Sequence, residues 1–185
     1  MRILIGFSAI ALVLAGCTNT SPSNPSAIAK TSAPMSGYNK VERKTLRDSR
    51  AVWDARKAAG SGDYVYTLSY SSVFGFGYTA EIEVSDGRVI RRKYDEFSVR
   101  EDEELLSYEE IGDAVGSHDA GPNVWTLDDL YDHCETVLAK TDPKMNDVTL
   151  TVTDDNLFSR CTIRPKNCMD DCTMGVSIDS LVFRD

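Results

Sequence analysis

From Tyr64 to Tyr94 the chain repeats with a period of two residues. Tyr64, Tyr66, Leu68 and Tyr70 alternate with Val65, Thr67 and Ser69, and Tyr78, Ala80, Ile82 and Val84 alternate with Thr79, Glu81 and Glu83. A two-residue repeat puts every second side chain on one face, which describes a strand with one buried side. Ser85-Asp86-Gly87-Arg88 is a hairpin turn of the Asp-Gly type, where the glycine accepts positive φ. A third strand then runs from Arg88 to about Tyr94. No other stretch restricts the fold so tightly, because three linked antiparallel strands need something to cover their apolar face.

Two helices are available to cover it. The first is predicted over Val41–Ala59 and closed by Gly60, with Leu46, Trp53 and the alanines facing inward. The second starts at Thr126, which has capping-box spacing to Asp129. Leu127, Leu130, Tyr131, Cys134, Val137 and Leu138 fall on one face of it, and Asp142-Pro143 ends it. Strands follow at Val148–Val152, Cys161–Lys166 and Thr173–Phe183. Between the two halves, about 97–124 reads as a surface insertion, broken by glycines, with a short helix capped by Ser107 and Glu110. The expectation is an α+β domain, helices packed on an antiparallel β-sheet in the order α-βββ-insertion-α-βββ.

The amino terminus carries a different signal. Arg2 precedes an apolar run from Ile3 to Leu14, and small residues lead to Cys17. This is the pattern of a secretory signal, and it is too short to span a bilayer. Leu14-Ala15-Gly16-Cys17 resembles the bacterial lipobox. The resemblance implies cleavage after residue 16, a diacylglycerol on the Cys17 sulfur and a palmitate-type acyl group on the new amino terminus. Such a chain is a lipoprotein held to the membrane by more than one acyl chain, enough for stable anchoring. Thr18, rather than Asp, follows the cysteine, which favours the outer membrane, facing the periplasm, in a Gram-negative envelope.

Residues 17–38 are rich in Ser, Thr, Asn and Pro and read as a flexible tether, reaching on the order of 25 Å. Residues 39–185 form the single folded domain. The whole chain carries a formal charge of −9, and loss of Arg2 with the signal leaves the mature chain at −10. An acidic surface of this size speaks against nucleic acid and against electrostatic binding to anionic lipid.

Several segments resemble a family of secreted and lipid-anchored bacterial proteins, the domain-of-unknown-function family 6174. They are Trp53, the Tyr64-x-Tyr66 pair, Val84-x-Asp86-Gly87-x-Val89, and Thr126-Leu-Asp-Asp-Leu130-Tyr131. The resemblance extends over roughly 51–183, interrupted by the insertion. It implies a cell-envelope location and no assigned catalytic residue. Two places depart from the family pattern. Ser71 to Gly77 lacks the cysteines often found after the Tyr-x-Tyr strand, and Phe158-Ser159-Arg160 stands where Gly-Tyr-Pro is common.

The remaining chemistry is sparse. Cys134, Cys161, Cys168 and Cys172 are an even set in an exported chain, which points to two disulfides rather than a zinc site. The expected pairing is Cys134–Cys161 and Cys168–Cys172, with Cys161–Cys172 as the rival. His118 and His133 are the only histidines, too few for most hydrolase triads, and both read as solvated. Acidic clusters at Glu101–Glu104, Asp154-Asp155 and Asp170-Asp171 match no calcium loop. No cofactor or metal is called for.

Most of the aromatic residues between Tyr64 and Tyr78 belong to the core. Val73-Phe74-Gly75-Phe76-Gly77 is the exception, because two phenylalanines between glycines at a hairpin tip cannot both reach it. Phe74 and Phe76 are therefore the candidate partner-binding residues. The reading is a non-enzymatic binding or interaction module with an envelope protein or glycan as partner. The alternative is an envelope hydrolase working through Asp or Glu carboxylates.

Overall fold

The computed structural model describes residues 39–60, 62–100 and 104–184. The signal segment 1–16, Cys17, the tether 17–38 and the acidic residues 101–103 lie outside them. The order is α1 (Lys40–Ala58), β1 (Tyr64–Ser71), β2 (Phe76–Ser85), β3 (Arg88–Ser98), β4 (Ser107–Ile111), a single 3₁₀ turn at Gly112–Ala114, α2 (Leu127–Lys140), β5 (Asn146–Val152), β6 (Phe158–Pro165), β7 (Met174–Ser177) and β8 (Ser180–Phe183). The fold is α+β, two helices against antiparallel sheet, and the described residues belong to one compact unit.

There are two sheets rather than one. Five strands run in the order β4-β3-β2-β1-β8, and three more in the order β5-β6-β7. Two expectations are corrected here. The segment containing Ser107 and Glu110 is a strand, paired with β3 through Tyr94–Tyr108 and Arg92–Glu110, so part of the insertion is an edge of the main sheet. The run from Thr173 to Phe183 is two strands. Ile178 donates its N–H to Ser159 in one sheet, and Asp179 donates to the Thr67 carbonyl in the other. The chain changes sheets between those two residues.

The alternation in β1 and β2 works as read. Tyr64, Tyr66, Leu68, Ala80, Ile82 and Val84 are buried against the helices. Asp86 and Gly87 both have positive φ, as a tight Asp-Gly hairpin requires. The opposite face is charged, and Arg91 is paired there with Glu81 and Glu109. From α1, Leu46 and Trp53 are buried, and Trp53 meets Tyr64 edge to face at 5.3 Å. The alanines are not inside. Ala51, Ala55 and Ala58 are exposed, and Ser49 takes the inward position, 2.7 Å from the Tyr131 hydroxyl. A buried serine is tolerated there because the phenol gives it a hydrogen-bond partner.

Tyrosine hydroxyls also fix α2. Its Leu127 N–H donates to Tyr64, and Tyr66 donates to the Trp125 carbonyl at 2.7 Å. Thr126 and Asp129 complete the capping box. Leu127, Leu130, Tyr131, Cys134 and Leu138 are buried, so the helix shows the sheet the face its three- and four-residue spacing describes. Cys134 is bonded to Cys161 on β6, with Cα atoms 5.8 Å apart, which joins α2 to the second sheet. Cys168 is bonded to Cys172 across the loop before β7.

Candidate functional site

The helix-facing surface of the main sheet is longer than the helices that cover it. Beyond Tyr66 and Ile82 the same face continues as Tyr70, Tyr78, Tyr94, Glu96 and Phe76. Tyr70, Tyr78, Tyr94, Tyr108 and His118 form a row of rings across four strands and a loop, with centroids 6.0, 5.2, 5.0 and 3.9 Å apart in turn. Burial sorts this row. Tyr94 is buried and Tyr78 half-buried, while Tyr70 is exposed at the outer end. The aromatic residues between Tyr64 and Tyr78 were expected to be mostly core; Tyr64 and Tyr66 are, Tyr78 is half-buried, and Tyr70 is not.

Phe74 and Phe76 lie at that outer end. Phe74 is 61% exposed in the turn between β1 and β2, and Phe76 is 43% exposed at the start of β2. Neither ring folds back to Trp53. Val73, Phe97, Val99 and Leu105 are exposed with them. Val99 donates its N–H to the Gly75 carbonyl and so fastens the end of β3 to the turn. A Cβ on Gly75 would come within 2.5 Å of Val99, and its φ is +81°, so only glycine fits this tip. Phe76 also lines a hollow of about 360 Å³ with Tyr70, Tyr94, Phe97 and Leu105. Phe74 does not line it, so the two phenylalanines share the tip and only one shares the hollow.

A larger cleft, about 440 Å³, opens between the two sheets. Leu68, Tyr70 and Tyr78 line it from the main sheet, and Gly175, Val176 and Ser177 of β7 from the second. Arg164, Asp170 and Asp171 stand at its rim. Asp171 accepts a hydrogen bond from the buried Ser72, which ties the loop closed by Cys168–Cys172 to the tip of the β1–β2 hairpin. The cleft continues toward α2 as a second space of about 280 Å³, where the Trp125 and His133 rings meet tilted, with centroids 4.6 Å apart.

Sequence reasoning missed one buried constellation. Glu110 and Arg92 are nearly inaccessible, and they pair through two bonds of 2.8 and 2.9 Å. Glu110 also accepts the N–H groups of Gly116 and His118, both at 2.7 Å, and contacts His118 Nδ1 at 2.9 Å. Arg92 in turn donates to the carbonyls of Pro122 and His118. Burial by itself would raise the Glu110 pKa, but the Arg92 guanidinium and the two amides outweigh it and hold the carboxyl far below its usual range. The two charges clamp the 112–122 loop onto the sheet. His118 is therefore not merely solvated: it stacks on Tyr108 and faces Glu110.

This arrangement has chemical consequences. Among the described residues, the carboxyls that depart clearly from the ordinary range are Asp95, which Ser107 and Lys93 hold down, and Glu110. Both move down, away from the raised value that a general acid for glycoside cleavage needs. Among the described residues, no three His, Cys, Asp or Glu side chains converge as metal ligands would. No helix among them is long and apolar enough to cross a membrane. The chain matches no family model, no curated protein and no solved structure.

Proposed function

We propose that this chain is a lipid-anchored lipoprotein of the bacterial cell envelope, akin to the domain-of-unknown-function family 6174, whose folded part is a non-enzymatic binding module. The observation that carries the module reading is the exposed apolar tip at Phe74 and Phe76, set beside an open cleft between two sheets. Exposed apolar clusters on a rigid hairpin are a common form of recognition surface. The anchor reading is supported by Leu14-Ala15-Gly16-Cys17 behind an apolar segment. Its expected place is the outer membrane, facing the periplasm, in a Gram-negative cell.

Two experiments test these halves separately. Cys17→Ser should leave the protein as uncut precursor or release it from the membrane fraction. A variant processed and retained like the parent would end the anchor reading. For the module, Phe74→Ala with Phe76→Ala should change stability by no more than about 0.5 kcal/mol, as exposed substitutions do. Crosslinking in intact envelopes should then show at least a tenfold loss of the captured partner, since one Phe buried at an interface contributes about 1.5–3 kcal/mol. Unchanged capture, or a loss of several kcal/mol in a thermal melt, would remove the tip from consideration.

A further inference from the structure

The two sheets part along a defined line. Thr67 accepts the N–H of Asp179, so its backbone groups face outward from β1, away from β2. Ser72 donates to Phe76, so residues of even number face β2. Strand alternation then turns the N–H and C=O of Ser69 and Ser71 outward as well. β8 begins only at Ser180, opposite Thr67, and pairs no further along β1. On the other side Asp179 faces β1 while Ile178 faces β6, so Ser177 and Gly175 face β1 too. Beyond Thr67 and Asp179 the two edges diverge, and the 440 Å³ cleft lies between them.

We propose that this cleft receives an extended peptide segment of a partner protein, paired as an added strand on the outer edge of β1. The proposal rests on the binding-module reading and names the form the partner takes there. Ser69 and Ser71 offer a donor and an acceptor each, repeating at about 6.8 Å, which is the repeat of an extended backbone. Peptide segments that add a strand to a sheet edge use this match, and pockets for alternate side chains select among them. Here one side chain of the guest would meet Tyr70 and Tyr78, the next the opposite rim.

Gly175 lets β7 lie close against β6 on the other wall. Its φ is +122°, and a Cβ there would stand 2.2 Å from the Cys161 carbonyl oxygen. At the rim the two carboxylates of Asp170 and Asp171 outnumber the guanidinium of Arg164, and among the described residues neither aspartate is in an ion pair, so the rim is net acidic. The guest therefore carries a basic side chain at that end, in keeping with the acidic chain as a whole.

The test uses the purified full chain and an immobilised library of seven-residue peptides. Peptides with Lys or Arg near one end and an aromatic or branched residue inside should be selected. A selected peptide should slow hydrogen exchange at the Ser69, Ser71 and Ser177 amides at least tenfold. N-methylation of its alternate residues should abolish binding in one register and spare it in the other. Ser69→Pro removes an amide that faces the cleft and not β2, so it should weaken binding more than tenfold while the melting temperature stays near that of the parent.

If Ser69→Pro does not fold, the N-methyl series on the unaltered protein still decides. Absence of any binder, or binding indifferent to N-methylation, overturns the proposal. So does protection of these amides by muropeptide-free peptidoglycan oligosaccharides where the peptides give none. Loss of envelope capture in the Phe74/Phe76 variant with normal capture by Ser69→Pro would retain the module and discard the added strand. Normal capture by both variants would discard the two readings together.

Discussion

Glu110→Gln is expected to lower stability by about 3–5 kcal/mol, the cost of leaving one member of a buried ion pair without its partner. Gln keeps the volume but supplies one acceptor oxygen where Glu110 now serves Arg92 twice, two loop amides and His118. Arg92 would stay buried with an uncompensated charge. Urea melts of the two proteins at neutral pH measure the difference. A change under 1 kcal/mol would mean that the 112–122 loop peels off and solvates Arg92 at little cost. Exchange protection at Gly116 and His118 separates these outcomes.

The pH dependence has a definite sign. The Glu110 carboxyl is held below its ordinary value of 4.5 in the folded chain, so its contribution is present in full above that value. It is lost as pH falls below about 4.5 and continues to be lost down to the folded value, since the unfolded chain binds the proton first. The parent protein should lose stability steeply over this acid range, and Glu110→Gln should lack that portion of the slope. Parallel slopes in the two proteins would place the acid sensitivity elsewhere.

The second large effect belongs to the bridge between α2 and β6. Replacing Cys134 and Cys161 by Ala should cost about 3.5 kcal/mol, because the bond closes a loop with a sequence separation of 27. Cys168 and Cys172 are separated by only 4, and their removal should cost less, about 2 kcal/mol by the same dependence on loop length. Non-reducing peptide mapping should recover Cys134 linked to Cys161. Recovery of Cys161 linked to Cys172 instead would refute the pairing, and the two double replacements, each removing one end of the same bridge, would then cost the same.

The parts of the fold legible from sequence were those where local pattern and tertiary burial agree. In β1, β2 and α2 the period names the buried face, and the Asp-Gly turn and capping box mark the ends. β4 was hidden because its inward positions are Tyr108 and Glu110. A glutamate at a core position breaks apolar alternation, and Ser107 with Glu110 imitates a helix cap. Arg92, 18 residues away on the neighbouring strand, together with the Gly116 and His118 amides, makes that glutamate a core residue.

The division of β7 from β8 was hidden for a related reason. Apolar and small residues run through both, and the change of sheet is made by two backbone hydrogen bonds that no side chain announces. The exposed tip was legible, because Gly75 and Gly77 stand around Phe76 next to Phe74 at the end of the hairpin, where the sheet offers no cover for two rings. The cleft was not, since it belongs to the spacing of two sheets.

The pairing of β8 with β1 bears on the order of assembly. Thr67 and Ser180 are hydrogen-bonded side by side although 113 residues separate them. A chain that emerges amino terminus first presents β1 early and its outer neighbour last. Until β8 appears, the whole outer edge of β1 stands open, and the loop to be closed is nearly the length of the domain. Contacts this distant in sequence slow folding, because chain entropy is surrendered before they form. The nascent domain thus passes through a stage in which its central sheet exists with one margin unprotected, and any factor that escorts it must act until the last four-residue strand arrives.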